Sequence, residues 1–251
     1  MFGFVLFIGV LLFFAWLDSG SSDSGNNSLS NSSRNNSSTS MTRQYSSTAT
    51  TTYGRAVATM PATVVPTVEK PIHTGLKSDY DSFMQVLREN GIMYLYHFTD
   101  RRNLASIRKH GGLYSWAFCG SHGITIPYAG GNSSSRNNDC RYGLQDYVRL
   151  SFCTDHPMMW RLQQQGYDLV LLKIKVDAAV FAGTLFSDMN ATDGMHSHGE
   201  SLADLKRVRF SAVRRSYLRR DDVDFKYHQA EIMVKTFIPA KYIVNLNTFS
   251  A

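Results

Sequence analysis

Two short motifs, far apart in the chain, carry residue types that could hold a nucleotide. His97-Phe98-Thr99 follows an apolar run of β-strand character, and Gln229-Ala230-Glu231 opens another such run. An imidazole can hydrogen-bond a ribose hydroxyl or an amide, and a carboxylate can stabilise positive charge that develops on a sugar. Together the motifs predict a cleft that grips a nucleotide and polarises its ribose. Taken singly, each also fits a structural histidine or a strand-edge charge.

Arginines offer a second kind of chemistry. Arg136 lies in a predicted loop of Gly, Ser and Asn residues, where a guanidinium either holds a pyrophosphate by paired hydrogen bonds or is simply solvated. Residues 206–220 are densely basic and could contact the phosphates of a nucleic acid, with a tyrosine to stack on a base. The predicted nucleic-acid-binding residues are Arg207, Arg209, Arg214, Arg215 and Tyr217. The alternative is a solvated basic face balanced by Asp221, Asp222 and Asp224.

Other chemistries are disfavoured. His196 and His198 form an H-x-H pair, but no third ligand has the spacing of a metal site. The 3 cysteines are odd in number and lack a C-x-x-C, which argues against a disulfide framework and against zinc. The chain has neither a G-x-S-x-G hydrolase motif nor a strand-linked G-x-G-x-x-G of a Rossmann site. We therefore predict no metal.

Composition separates the chain into three regions. The 251 residues, 43% of them hydrophobic, suffice for one globular domain with a sizeable core. Residues 1–17 contain an unbroken apolar run, which predicts a signal peptide or membrane anchor, with a start at Met41 as the alternative. Residues 18–75 are rich in Ser, Asn and Thr and predict a disordered linker, and residues 76–251 form the predicted folded domain.

This organisation bears on partners and compartment. A retained leader would leave the protein membrane-anchored or secreted, with Phe2 to Leu17 as the attachment; without the leader we expect a cytoplasmic protein. The net charge of +6 and the pI of about 9.2 suit an anionic partner such as nucleic acid or a dinucleotide. We expect a monomer.

Hydrophobic periodicity predicts the elements that must position these residues. The predicted helices are residues 79–90, 103–110, 157–165 and 201–210. The predicted strands are residues 92–96, 146–153, 169–176, 231–237 and 242–247. Residues 119–145 are predicted to be a loop. Short strands with short helices between them favour an α+β fold over a doubly wound one.

Several blocks of sequence occur in an order that resembles a known family. They are Tyr96-His97-Phe98-Thr99-Asp100, Asn103-Leu104, Ser106-Ile107, Gly111-Gly112-Leu113-Tyr114, Arg136, Asp146-Tyr147-Val148-Arg149-Leu150-Ser151-Phe152, His156-Pro157-Met158-Met159, Phe186-Ser187-Asp188-Met189-Asn190-Ala191 and Gln229-Ala230-Glu231-Ile232-Met233-Val234. From about Gly91 to Leu246 the chain resembles the DarT family of DNA ADP-ribosyltransferases, the toxin half of a toxin–antitoxin pair.

The resemblance implies a fold, a reaction and a site. The fold would be an ADP-ribosyltransferase-like split mixed or antiparallel β-sheet with short flanking helices. The reaction would transfer ADP-ribose from NAD to a base in single-stranded DNA and release nicotinamide, with a macrodomain antitoxin as a further partner. The implied NAD contacts are His97, Phe98, Thr99, Ser106, Tyr114 and Arg136. Arg136 and Glu231 would be catalytic, and residues 186–231 would form the substrate-recognition loop.

Two features depart from the family pattern. DarT-like proteins often read Val-Pro-Phe-Tyr-Phe after Asp-Tyr, whereas this chain has Val148-Arg149-Leu150-Ser151-Phe152. The apolar leader is also foreign to a cytoplasmic toxin. Two alternatives therefore stay open: a catalytically inactive relative that binds nucleic acid through residues 206–220, and a transferase that acts on RNA or protein.

Overall fold

The computed structural model describes residues 75–131 and 133–250. The predicted leader, the Met41 start and the predicted linker up to residue 74 lie outside these residues. Within the described part of the chain, no helix combines the length and the hydropathy that crossing a membrane requires.

Seven short α-helices occur in the described residues. They are α1 (Tyr80–Glu89), α2 (Leu104–His110), α3 (Trp116–Ser121), α4 (Ser133–Arg141), α5 (Pro157–Gln164), α6 (Leu202–Arg207) and α7 (Phe210–Val213). The apolar spacing of α1 buries Phe83 and Leu87 on one face. Helix α2 ends at Gly111, whose left-handed backbone (φ 79°) closes the helix as a glycine readily does.

Six strands form the main sheet, in the order β4-β1-β3-β7-β5-β6. They are β1 (Tyr94–Asp100), β3 (Tyr147–Ser151), β4 (Leu169–Lys175), β5 (Leu185–Ser187), β6 (His198–Gly199) and β7 (Glu231–Lys235). All neighbouring strands are antiparallel. Side chains from one face of this sheet join the main hydrophobic core, which includes Leu95, Leu150, Leu172 and Ile232. This arrangement confirms the predicted α+β fold.

A second, two-stranded sheet pairs β2 (Gly112–Tyr114) with β8 (Phe237–Pro239). The chain passes from β7 to β8 through Thr236, which adopts a left-handed conformation with φ 59°. That conformation is costly for a β-branched residue. It is offset by hydrogen bonds from the Thr236 backbone N–H and hydroxyl to Asp146, at 2.7 and 2.6 Å.

The main sheet is split between β1 and β3. These strands pair only at Tyr96↔Ser151, whereas β1 pairs with β4 over seven positions, from Tyr94↔Lys175 to Asp100↔Leu169. Beyond Tyr96 the two strands separate. The imidazole of His97 then bridges the opening, because its Nδ1 lies 2.9 Å from the backbone oxygen of Arg149.

Three predicted elements are wrong. Residues 119–145 are not one loop, because Ser133–Arg141 forms helix α4, so Arg136 lies on a helix. The predicted strand 242–247 is absent: the strand lies earlier, at Phe237–Pro239, and 3₁₀ turns follow it at Ala240–Tyr242 and Leu246–Thr248. The predicted helix 201–210 ends at Arg207, where extended backbone separates α6 from α7.

Candidate active site beside the split in the sheet

Glu231 begins β7 and is 9% exposed. Its Oε2 accepts a hydrogen bond from the Arg149 guanidinium at 2.7 Å and one from the backbone N–H of Ala191 at 3.0 Å. Within the described residues, no donor bonds its other oxygen, Oε1. The carboxylate is therefore held through one oxygen and can offer the other to a ligand.

Arg149 connects this carboxylate to helix α4. One arm of its guanidinium bonds Glu231, and the other forms an ion pair with Asp139, which is itself buried. Asp139 also accepts from the Trp116 indole N–H at 3.0 Å. Burial alone would lower the pKa of Arg149, but the charges of Glu231 and Asp139 outweigh burial and raise that pKa. Arg149 is thus a permanent cation at the site.

His97 lies across the split from this network. Burial lowers the pKa of its imidazole, and the hydrogen bond to the Arg149 carbonyl opposes that shift only in part. A carbonyl can only accept, so His97 Nδ1 carries the proton and donates. The neutral ring then presents Nε2 as an acceptor, which suits a ribose hydroxyl.

Thr99 and its neighbours form an ordered wall at the end of β1. The Thr99 hydroxyl accepts from the Asn103 amide at 3.0 Å. Asn103 is buried and also holds the backbone of Tyr128, donating to its C=O at 2.7 Å and accepting from its N–H at 3.0 Å. The guanidinium of Arg102, fixed by Asp100, stacks 3.0 Å from the centroid of the Tyr128 ring. These hydrogen bonds fix Thr99, Asn103 and the Tyr128 backbone relative to one another.

Two further predicted NAD contacts have partners inside the protein. Ser106 donates its hydroxyl to the Thr125 carbonyl at 2.8 Å. Tyr114 donates to the His110 carbonyl at 3.0 Å, and its ring stacks between Phe118 and Phe237. The roles of Ser106 and Tyr114 in NAD binding stay predictions.

Arg136 is positioned by α4, one helical turn before Asp139. Residues three apart on a helix share a face, so Arg136 projects on the side of α4 that carries Asp139. Its guanidinium lies 5.4 Å from the centroid of the Trp116 ring. Trp116, Asp139 and Arg149 thus connect the two predicted catalytic residues, Arg136 and Glu231.

Arg149 was not predicted as a site residue, although it stands at one of the positions where the chain departs from the pattern it resembles. Residue type at one position gave no sign of the ion pairs, because Asp139 and Glu231 are 10 and 82 positions away. Its location on a strand between apolar residues is the feature that could have revealed it, since a cation there needs a partner.

The basic segment is extensively neutralised by its own aspartates. Arg207 pairs with Asp204, Arg209 with Asp224, and Arg215 with both Asp222 and Asp224. Arg214 donates to the Asn90 carbonyl at 3.0 Å, and the Tyr217 side chain is exposed. Their role in nucleic-acid binding stays a prediction. His196 and His198 contact each other, with Nε2 and Nδ1 2.9 Å apart.

An antiparallel sheet split between β1 and β3, with the buried Glu231 at the head of β7, is the arrangement that the resemblance to ADP-ribosyltransferases implies. The family model for DarT, described as ssDNA thymidine ADP-ribosyltransferase, matches residues 96–250. That range is more than half of the chain, and the chain belongs to the DarT family, as the sequence blocks predicted.

Solved structures agree with this assignment at the level of the fold. Thermus sp. 2.9 DarT in complex with ADP-ribosylated ssDNA is 19% identical, with a TM-score of 0.53, over 61% of this chain and 79% of that one. The same protein in complex with NAD+ is 19% identical, with a TM-score of 0.49; the match covers 61% of this chain and 79% of that one. Thermosipho africanus DarTG in complex with ADP-ribose is 19% identical, with a TM-score of 0.47; the match covers 60% of this chain and 42% of that one. A comparison with curated proteins gave no match.

Proposed function

We propose that this protein transfers ADP-ribose from NAD to thymidine in single-stranded DNA and releases nicotinamide. The observation that carries the proposal is the buried Glu231, fixed by Arg149 and the Ala191 N–H beside the split in the sheet. The family description supplies the acceptor, a thymidine in single-stranded DNA. The Thermus relatives bound to NAD+ and to ADP-ribosylated DNA support the same co-substrate and acceptor.

Glu231 would act on the ribose of NAD. The bond between the ribose C1′ and nicotinamide breaks, nicotinamide leaves with the electron pair, and C1′ acquires oxocarbenium character. The base then forms a new bond to C1′ and releases its proton to solvent water. A preorganised carboxylate lowers the energy of the cationic transition state, as the carboxylates of glycoside hydrolases do. Its hydrogen bonds are already formed, so little reorganisation is needed.

His97, Thr99 and Arg136 would bind the rest of the dinucleotide. Neutral His97 would accept from a ribose hydroxyl through Nε2, and Thr99 would lie in the same cleft. Arg136 would hold the pyrophosphate, since a guanidinium pairs with two phosphate oxygens at once. A guanidinium is a poor base, so orientation and charge stabilisation suit Arg136 better than proton transfer.

The inactive binding relative is the second candidate, and the charge arrangement disfavours it. A protein that binds nucleic acid through residues 206–220 alone would be expected to present unpaired cations there. Instead Arg207, Arg209 and Arg215 are paired with aspartates. The macrodomain antitoxin, the membrane attachment, the monomeric state and the compartment stay predictions.

The deciding experiment follows labelled ADP-ribose from NAD. The full-length chain would be offered single-stranded DNA with and without thymidine, RNA, and a protein mixture. We expect label on the thymidine-containing DNA alone. Glu231→Gln keeps the shape and the acceptor oxygen but removes the charge, so it should slow transfer at least about 100-fold. NAD affinity, measured by calorimetry, should change little.

Glu89→Gln is the matched control, because Glu89 is an exposed carboxylate at the end of α1. It should transfer at the wild-type rate. Label on thymidine-free DNA would overturn the base assignment, and label on RNA or protein alone would overturn the DNA assignment. No transfer to any acceptor, with nucleic-acid binding retained, would establish the inactive relative.

A further inference from the structure

Three metal-ligating side chains meet just outside the candidate active site. Cys153 and Asp155 follow β3, and His228 lies in the 3₁₀ turn Tyr227–Gln229 that precedes Glu231. One ligand atom from each residue lies within 4.8 Å of the other two. Cys153 and Asp155 are neighbours in sequence, and the fold brings the distant His228 imidazole to this thiol and carboxylate.

His228 carries the strongest indication of a ligand. It is 1% exposed, and its Nδ1 donates to the Ala212 carbonyl at 3.1 Å. That hydrogen bond leaves Nε2 with a lone pair, which is the second-shell arrangement found around metal-binding histidines. Among the residues that the structure describes, Nε2 is buried with no hydrogen-bond partner. Leaving such an atom unsatisfied is costly, and the other two side chains surround it.

Neighbouring groups also orient the side chains of Asp155 and Cys153. Asp155 Oδ2 accepts from the Tyr217 backbone N–H at 2.5 Å, while Oδ1 faces His228 Nε2 at 3.4 Å. The Cys153 sulfur lies 3.1 Å from the Ser151 hydroxyl, and its thiol donates to the His228 carbonyl at 3.7 Å. A neighbouring group therefore orients each of the three side chains, and each keeps one atom that can bind a metal ion.

The chemistry of the set selects zinc. Calcium and magnesium take oxygen ligands, whereas one sulfur, one imidazole and one carboxylate suit Zn²⁺. With Zn–N and Zn–O bonds of about 2.1 Å, the edge of a tetrahedron is about 3.4 Å. That edge equals the separation of Asp155 Oδ1 and His228 Nε2. A cavity of about 390 Å³, lined in part by Cys153 and Asp155, gives access and room for water as the fourth ligand.

We propose that Cys153, Asp155 and His228 bind one Zn²⁺ ion that ties the end of β3 to the segment leading into Glu231. Binding would replace the thiol proton of Cys153 with a sulfur–zinc bond and release the proton to solvent. The ion would have a structural role, since the proposed transfer reaction uses NAD without a metal. A zinc site was not predicted from the sequence, because His228 lies far from Cys153 and Asp155 along the chain and the three form no compact motif.

A proton bound to His228 Nε2 is the alternative to a zinc ion at this cluster. A protonated His228 would form a buried ion pair with Asp155, which would satisfy Nε2 without a metal. The two states differ in the sulfur: only the metal state draws Cys153 into the bonding. The test therefore has to report on a thiolate–metal bond.

Cobalt supplies that readout. The full-length chain, stripped with a chelator, would be titrated with Co²⁺ and then with Zn²⁺. We expect one equivalent of Co²⁺ to give a thiolate-to-cobalt charge-transfer band and the visible bands of a tetrahedral ion, both removed by Zn²⁺. Cys153→Ser should abolish the charge-transfer band. His228→Gln and Asp155→Asn should each weaken Co²⁺ binding roughly 100-fold or more, since even second-shell changes cost about 10–100-fold.

Cys119→Ser is the matched control, because Cys119 is also a buried free thiol but lies outside the cluster. It should keep both bands. The absence of a charge-transfer band in the wild-type chain would overturn the proposal, whatever the variants do. So would a band that survives in Cys153→Ser. Circular dichroism of the metal-free variants separates loss of a ligand from loss of the fold.

Discussion

At the scale of single residues, Arg149 determines how the candidate site is built. Its two arms bond Glu231 and Asp139, so one guanidinium neutralises two mostly buried carboxylates. Without the cation that both contact, the two negative charges would repel each other. Arg149 also stands where DarT-like proteins often have proline. In this chain an ion pair with Arg149 therefore holds Glu231 in place.

Replacing Arg149 by methionine should be strongly destabilising. The change keeps much of the side-chain volume but leaves Asp139 and Glu231 unpaired. Removing one partner of a buried ion pair costs about 3–5 kcal/mol, and we expect the lower end because the Arg149 side chain is 23% exposed. Urea unfolding followed by circular dichroism measures the loss. The variant should also lose transfer activity more than it loses NAD affinity.

Two companion variants sharpen this test. Arg149→Lys keeps the charge but not the two-armed fork, so its stability should lie between wild type and Arg149→Met. Arg207→Met breaks an exposed ion pair and should cost less than about 1 kcal/mol. Equal losses in Arg149→Met and Arg207→Met would show that the network around Glu231 contributes no more than a surface pair.

The residues of the site differ in how visible they are in the sequence. His97 and Glu231 stand beside apolar runs, and the ordered blocks around them allowed both to be predicted as site residues. Arg149, Asp139 and Ala191 belong to the site through contacts between distant segments, and a single sequence does not contain those contacts. For the same reason the meeting of Cys153, Asp155 and His228 was not predicted.

At the scale of elements, the split between β1 and β3 creates the cleft. Strand β1 is fully paired on its other side with β4, so the separation from β3 does not leave it unsupported. His97 occupies the opening and satisfies the Arg149 carbonyl that the missing strand pairing leaves without a backbone donor. The imidazole is thus part of the sheet as well as of the proposed NAD site.

This position predicts a pH dependence of stability. Burial lowers the pKa of His97 in the folded protein, below the value of about 6.5 that the unfolded chain has. The unfolded state therefore binds the proton first, and the free energy of unfolding should fall as the pH drops below about 6.5, until the folded pKa is passed. His97→Gln, whose amide can still donate to Arg149, should give a flatter profile.

The comparison is made as a difference between two urea-unfolding series, from neutral to acidic pH. Other histidines with lowered pKa values, His156 and His198, are present in both proteins and cancel. A wild-type profile that is parallel to that of His97→Gln would mean that His97 titrates identically in the folded and unfolded states.

Elements with a clear periodicity were predicted well, and polar or strained ones were not. Helices α1 and α2 and strand β4 follow their apolar spacing to within about two residues. Helix α4 is almost wholly polar, so nothing in its pattern distinguishes it from a loop. The single predicted strand 231–237 is two strands because Thr236 turns left-handed, a change that depends on Asp146 in another segment.

At the scale of the whole molecule, the positive charge is less available than the sequence suggests. The net charge is +6, and the densest basic segment lies directly before the Glu231 strand. Four of its arginines, Arg207, Arg209, Arg215 and Arg219, are nevertheless paired with nearby aspartates. Single-stranded DNA releases about 0.7 counterions for each phosphate contact. If all seven Lys and Arg residues of 206–220 contacted phosphates, the slope of the log binding constant against log salt would be about −5. We expect a clearly shallower slope for the wild-type protein.

Asp224→Asn should release this restrained charge. Asp224 pairs with Arg209 at 2.7 Å and with Arg215 at 3.1 Å, and these arginines hold the pKa of its carboxyl below the ordinary value, so it is ionised at neutral pH. The neutral amide would leave Arg209 available to a phosphate, while Arg215 keeps Asp222. Binding to single-stranded DNA should tighten, and the slope of log Kd against log salt should steepen by up to about 1.

Fluorescence anisotropy over a range of salt concentrations measures both the affinity and the slope. Asp168→Asn is the control, because its pair with Arg101 lies outside the basic segment. An unchanged slope in Asp224→Asn would place the DNA path away from residues 206–220.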